Sequence, residues 1–137
     1  MKGFTLRLLD ATRSEQLDEV VSFVGADASG SFGILAGHAP FITALRMGLA
    51  RFRGRDGRWR YLALPEAVLR FDGRELVLGT RRYLLGEDLD QISAALRERL
   101  LVEERQLQDT RRSLRHMEEA LMKRMWELGR QGMGSLA

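Results

Sequence analysis

Glycine and proline are divided unevenly along this chain, and that division limits its folding more than any other feature. Eleven of the 14 glycines fall in residues 1–86, and both prolines, Pro40 and Pro65, fall there too. Neither residue type occurs between Glu87 and Leu128. Glycine and proline punctuate strands and turns and interrupt helices. The sequence therefore predicts two parts: a strand-and-turn domain over 1–86 and a helical domain over 87–137.

In the first part the apolar residues alternate. Phe4, Leu6 and Leu8 share one strand face, with Thr5 and Arg7 on the other. Val20–Val24 is a β-branched and aromatic run, and Phe32–Leu35 and Phe41–Leu45 flank a turn at Ala36–Pro40. Leu49–Phe52 and Trp59–Leu64 flank Gly54-Arg55-Asp56-Gly57, a hairpin signal; Ala67–Phe71 and Glu75–Leu78 flank Asp72-Gly73, another. Short strands at this spacing predict an all-β sandwich or barrel.

The second part has helical period. Leu89, Ile92, Leu96 and Leu100 step by three and four; Leu107, Leu114, Leu121 and Leu128 step by seven, with Met117 and Met125 between them. Acids lead (Glu87, Asp88, Asp90) and Arg130 lies near the end, as the helix dipole favours. One unbroken helix over 87–128 would measure roughly 63 Å. The segment thus folds back as a hairpin or extends as an arm. Asp109-Thr110, both good N-cap residues, is the predicted reversal. Three glycines from Gly129 onward predict a frayed tail.

Composition excludes several functions. There is no cysteine, hence no disulfide framework, thiolate metal site or cysteine nucleophile. Only His38 and His116 are present, far apart, so neither a metal site nor a cofactor is expected. The start has no apolar core of a secretory signal. The longest uncharged run, Ala28–Leu45, contains Gly30, Gly33, Gly37, His38 and Pro40 and is too polar and broken for a membrane helix. The chain is expected to be soluble by itself.

The net charge of +3 is unevenly distributed. Residues 1–86 hold 13 basic and 9 acidic side chains, whereas 87–137 hold 9 and 10. Arg51, Arg53, Arg58 and Arg60 sit at hairpin spacing with Phe52, Trp59 and Tyr61 among them. Placed on one ribbon face, the four suit a nucleic-acid surface, an acidic protein partner or a solvated outer face; on the ordinary behaviour of half-buried strands the last leads. An RNA-binding module with a helical dimerisation arm is the alternative function. His38 is read as a turn histidine and not as a general base, since no nucleophile elbow surrounds Ser29 or Ser31. No catalytic residue is assigned.

Ser31-Phe32-Gly33-Ile34-Leu35-Ala36-Gly37-His38-Ala39-Pro40 resembles the Gly-Ile-Leu-x-Gly-His-Ala-Pro stretch of the epsilon subunit of F-type ATP synthases. The likeness continues through Phe41–Leu45 into Gly48, and Gly86-Glu87-Asp88-Leu89-Asp90 stands where that family passes from sandwich to helices. The resemblance implies an α+β chain: a sandwich of about ten strands, then a helical hairpin or extended arm. It implies a non-catalytic central-stalk rotor subunit, peripheral on the cytoplasmic face of a bacterial inner membrane. Its partners would be the gamma subunit and the c-ring, touched through Ser31, Phe32, Gly33, His38, Pro40, Phe41, Ile42 and Thr43. The arm, with Arg111, Arg112, Arg115, Lys123 and Arg124, would reach the catalytic alpha and beta subunits and restrain ATP hydrolysis. No nucleic acid is implied, and the membrane is met only through the complex.

Three departures stand out. Leu89-Asp90-Gln91-Ile92-Ser93-Ala94 occupies the place of an Ile/Leu-Asp-x-x-Arg-Ala motif that binds regulatory ATP in many bacterial relatives. Ser93 replaces its arginine, which removes a charge-assisted contact and predicts weak or absent ATP binding. Ser31 stands where relatives often have an acid, and Leu64-Pro65-Glu66-Ala67 where they have Ser-Gly-Gly. The helical part lacks the usual loop break. These suggest a divergent branch, one with another coupling ion.

Overall fold

The computed structural model describes residues 2–136, with side chains through Arg130. Nine strands precede the helices: β1 Phe4–Leu9, β2 Ser14–Asp27, β3 Gly30–Leu35, β4 Phe41–Leu45, β5 Gly48–Gly54, β6 Trp59–Leu64, β7 Ala67–Phe71, β8 Glu75–Thr80 and β9 Leu84–Gly86. The expected ten strands are thus nine among the described residues.

β2 makes the sandwich. Its first half pairs with β1 (Leu8 opposite Glu15), and its second half lies between β3 (Phe23 opposite Ile34) and β5 (Phe23 opposite Phe52). The change of layer comes at Glu19, whose φ of 58° is unusual for a residue with a side chain. The register slips next to it, between Val20 and Ser22. Gly3 admits the bend: a Cβ there would lie 2.8 Å from Glu19 Cα. One layer holds β1, β8, β7 and β4; the other holds β3, β5, β6 and β9.

Alternation puts Phe4, Leu6, Leu8, Phe23, Ile34, Phe52, Leu69, Phe71 and Leu76 between the layers, nearly free of solvent. Each such side chain contributes roughly 1.5–3 kcal/mol when fully buried. The hairpin turns form as the sequence predicts. Gly57, at φ +76°, donates its N–H to Gly54 O. Asp72 Oδ1 accepts from Arg74 and Glu75 N–H, and these bonds, the one from Arg74 foremost, hold its carboxyl below the usual range.

Helix α1 (Leu89–Ala95) starts on Asp88, whose carboxylate accepts from Asp90 and Gln91 N–H at 2.9 and 3.2 Å. A π turn, Leu96–Leu100, follows, closed by Leu101 N–H donating to Leu96 O. Ile92 and Leu100 bury against Ala63, with Met47, Tyr61, Leu84 and Leu96 around them. The strands end at Gly86, but the compact unit that contains them runs to Leu101.

The second unit begins at Val102. Helix α2 (Leu101–Leu136) is continuous, so the predicted reversal at Asp109-Thr110 does not occur. An N-cap residue stabilises a helix start but does not compel one, and no glycine or proline weakens the helix there. The second-part alternative of one extended helix is the one observed. The backbone stays helical through Leu136 despite the tail glycines, and Ala137 lies outside the described residues.

Candidate functional site

The turn between β3 and β4 is held by its own backbone and by aromatic contacts. His38 N–H donates to Leu35 O at 3.1 Å, with Gly37 at φ +87° between them. His38 Nδ1 donates to Ala39 O at 2.6 Å, and the ring meets Phe41 and Phe71 edge-on at 5.7 and 6.1 Å. The histidine therefore shapes the turn. Phe41 also meets Phe32 edge-on at 5.3 Å.

β4 then alternates. Phe41 is half-buried against the core, and Thr43 Oγ1 donates to Asp27 Oδ2 at 2.6 Å. Asp27 also accepts from the Ser29 hydroxyl and N–H. The Ser29 hydroxyl first, then Thr43, hold its carboxyl below the usual range. Ile42 points the other way and is 70% exposed. Across the ladder Ile42 pairs with Arg70, and Ala44 pairs with Val68, itself 60% exposed. Pro40, Ile42 and Arg70 border a depression of ≈ 510 Å³.

The eight residues expected at a partner interface thus divide. Ser31, Gly33, His38, Pro40 and Ile42 are exposed, whereas Phe32, Phe41 and Thr43 are half-buried and engaged in internal contacts. Val68 and Arg70, which share the Ile42 face, escaped the sequence reading. The signal for them is strand pairing across the ladder, Ile42 with Arg70 and Ala44 with Val68.

At the other end of the sandwich the β1–β2 turn is clasped to the segment before β9. Tyr83, fully buried, donates its hydroxyl to Glu15 Oε1 at 2.9 Å. The Arg13 guanidinium lies 4.2 Å from the ring centre and donates to Tyr83 O at 2.5 Å. Burial, then the Glu15 bond and charge, push the Tyr83 phenol up to about 12. Asp10 accepts from Thr12 N–H, Arg13 N–H and Arg13 Nε at 2.9, 2.9 and 3.2 Å. The Thr12 bond leads in lowering that carboxyl to about 2, against the opposing effect of desolvation.

Asp90 lies exposed in the first turn of α1, and Ser93 is half-buried. On α2, Arg111, Arg112, Arg115, Lys123 and Arg124 are exposed, as are Leu114, Met117, Leu121, Met125 and Trp126. Arg130 stacks on Trp126 at 5.0 Å. Among the described residues no cluster of three acidic, histidine or cysteine side chains could hold a metal. No described helix is long and apolar enough to cross a membrane.

Residues 3–83 match the family described as the ATP synthase delta/epsilon chain β-sandwich domain. The chain is 36% identical over 97 residues to ATP synthase epsilon chain 2 of Cereibacter sphaeroides, covering 69% of this chain and 66% of that one. It is 38% identical over 96 residues to ATP synthase epsilon chain 2 of Paraburkholderia xenovorans, covering 67% and 69%. The chain thus spans about two thirds of the length of these relatives. A chain in the Euglena gracilis mitochondrial ATP synthase structure (OSCP/F1/c-ring) superposes with a TM-score of 0.58 at 17% identity, over 72% of this chain and 64% of that one. One from the Tetrahymena thermophila central stalk/c-ring gives 0.51 at 9% identity, over 61% and 69%. At such identities these two show a common fold alone.

Proposed function

The chain belongs to the ATP synthase delta/epsilon family, and from that premise we propose that it is the non-catalytic central-stalk subunit of a rotary ATP synthase. The family match over residues 3–83 carries this reading. The RNA-binding alternative gains no support from these relatives. The work of such a subunit is mechanical: it must hold its shape while transmitting torque. A sandwich whose core aromatics and leucines are almost fully buried suits that task, because close-packed interiors yield little under load.

The gamma subunit is the proposed partner of the β4–β7 face. Ile42 and Val68 supply exposed apolar surface there, Arg70 supplies charge, Pro40 borders it, and His38 packs on Phe41 and Phe71 of the same two strands. Ser31 and Gly33, on the exposed β3 edge, are assigned to the contact with the c-ring. Phe32, Phe41 and Thr43 position that surface from beneath. The exposed leucine, methionine and arginine side chains of α2 would engage the catalytic alpha and beta subunits and restrain hydrolysis. Ser93, in place of an arginine, leaves Asp90 without a cationic neighbour for phosphate in that motif, so regulatory ATP binds weakly or not at all. The subunit would be peripheral, on the cytoplasmic face of the bacterial inner membrane.

Copurification with the gamma subunit of the same organism tests this reading. A stable complex is expected at micromolar concentration, weakened at least tenfold by Ile42→Arg or Val68→Arg with the fold unchanged by circular dichroism. No complex with the unaltered chain would overturn it.

A further inference from the structure

The arginine ribbon of β5 and β6 is not used by the reading above. Its residues do not share one face. Phe52 must point into the core, so its neighbours Arg51 and Arg53 point out. Arg60 lies opposite Phe52 and stacks over that ring at 5.4 Å, away from the other two. Arg58 sits at the turn, its N–H bonded to Asp56. On the outer face Arg53 pairs with Trp59 and Arg51 with Tyr61. Both guanidiniums lie against the same indole, at 4.4 Å for Arg51 and 5.0 Å for Arg53.

Helix α1 and the π turn pack over Tyr61 and Ala63. The surface on the Trp59 side carries Arg51, which is exposed, and Leu35, 58% exposed. Beside it is a depression of ≈ 410 Å³ lined by Lys2, Val21, Leu35, Ala36, Gly37 and Arg53. Its walls are apolar or cationic, with no carboxylate among them. Arg53 Nε is buried there with no hydrogen-bond partner among the described residues. Glu19, on the same strand as Val21, pairs with Arg55 at 3.7 Å.

Two chemistries favour such a surface: nucleobases stacked on an aromatic ring, or carboxylates received by guanidinium forks. The indole that a base would stack on already holds two guanidiniums, so a base competes with them for it, whereas a carboxylate meets their free N–H edges. Stacking leaves the N–H edges of a guanidinium available and fixes their direction, which suits bidentate carboxylate binding. Side chains two apart on a strand are about 7 Å apart, near the spacing of alternate carboxylates on an extended peptide. We infer that Arg51, Arg53 and Lys2, with Leu35 and Val21 as the apolar floor, form a docking surface for an acidic, partly apolar peptide segment of a partner protein.

Trp59 reports on its own site once Trp126 is replaced by Phe. In that background the chain is titrated, by tryptophan fluorescence, with a synthetic dodecapeptide alternating Glu with Ser and Leu. Its Glu→Gln counterpart and a dodecamer of uridine serve as comparators. The acidic peptide should shift Trp59 emission saturably and bind at least tenfold more tightly than either comparator. Arg51→Gln should weaken it at least fivefold, and Arg53→Lys, which keeps the charge but not the fork, should also weaken it. Arg46→Gln, an exposed arginine outside the lining of the depression, should leave it unchanged. Equal binding of the uridine dodecamer, equal binding of the Gln peptide, or indifference to Arg51→Gln in a folded chain would each overturn the inference.

Discussion

Tyr83→Phe isolates one interaction without opening a cavity. Phenylalanine fills the same volume and keeps the ring against the Arg13 guanidinium, so only the hydroxyl and its 2.9 Å bond to Glu15 are lost. A hydrogen bond to a charged group contributes roughly 1.5–3 kcal/mol. Here the lower end is exceeded by the compensation available: the Glu15 side chain is 36% exposed, takes up water, and keeps Arg13 Nη1 at 3.8 Å. A loss of about 1 kcal/mol at pH 8 is expected, read as a lower urea midpoint at unchanged slope. The pH dependence makes the test specific. The folded phenol titrates at about 12, above the ordinary value of 10. Its stabilisation is complete below pH 10, because neither state is ionised there. Above pH 10 the unfolded chain releases its proton first, so stability falls as pH rises toward 12. Every other side chain is common to both proteins and cancels in the difference. The gap between wild type and Tyr83→Phe should therefore narrow from pH 10 upward. A gap of constant size between pH 8 and 12, or none at pH 8, would refute the clasp.

The acid limb has its own test. Asp10 titrates at about 2, below its ordinary 3.8, so its contribution is present above pH 4 and disappears as pH falls through 2. Asp10→Asn should be less stable than wild type at pH 6, and urea titrations should show the two converging near pH 2. Removing residues 102–137 should leave a chain that unfolds cooperatively near the full-length midpoint. Removing 88–137 uncovers Ala63, Tyr61 and Leu84 and should cost about 3 kcal/mol more through the lost burial of Ile92 and Leu100. In a reconstituted ATP synthase the 102–137 deletion should raise hydrolysis or leave it unchanged, and a marked fall would contradict a restraining arm.

The strand domain was legible because period-two alternation and turn chemistry are local. Phe4–Leu8, the Gly54–Gly57 hairpin and the Asp72-Gly73 turn need only their own few residues to be recognised. The helical part was legible in period but not in path. Asp109-Thr110 offers capping side chains, yet whether a helix breaks depends on the competing cost of leaving helical backbone angles, and the surrounding leucines, glutamines and arginines favour continuing. The seating of α1 was also hidden. Nothing in Ile92 or Leu100 alone says that Ala63 leaves space for them, and Gly86 admits Ile92 only because it has no Cβ, which would stand 2.7 Å from Ile92 Cγ1.

The functional surface shows the same division between local and long-range information. The motif from Ser31 to Pro40 marked one strand of the β4–β7 face, while Val68 and Arg70 reached it through a ladder that joins distant segments. The arginine ribbon shows the reverse case, in which local spacing suggested too much. Hairpin spacing alone would allow Arg51, Arg53, Arg58 and Arg60 on one face. Register decides otherwise: with Arg53 opposite Trp59, Arg60 falls opposite the inward Phe52, and only two arginines remain to share the outward indole. Sliding the pairing by one residue would turn Phe52 to solvent and forfeit roughly 1.5–3 kcal/mol of burial. The core therefore fixes which cations face outward.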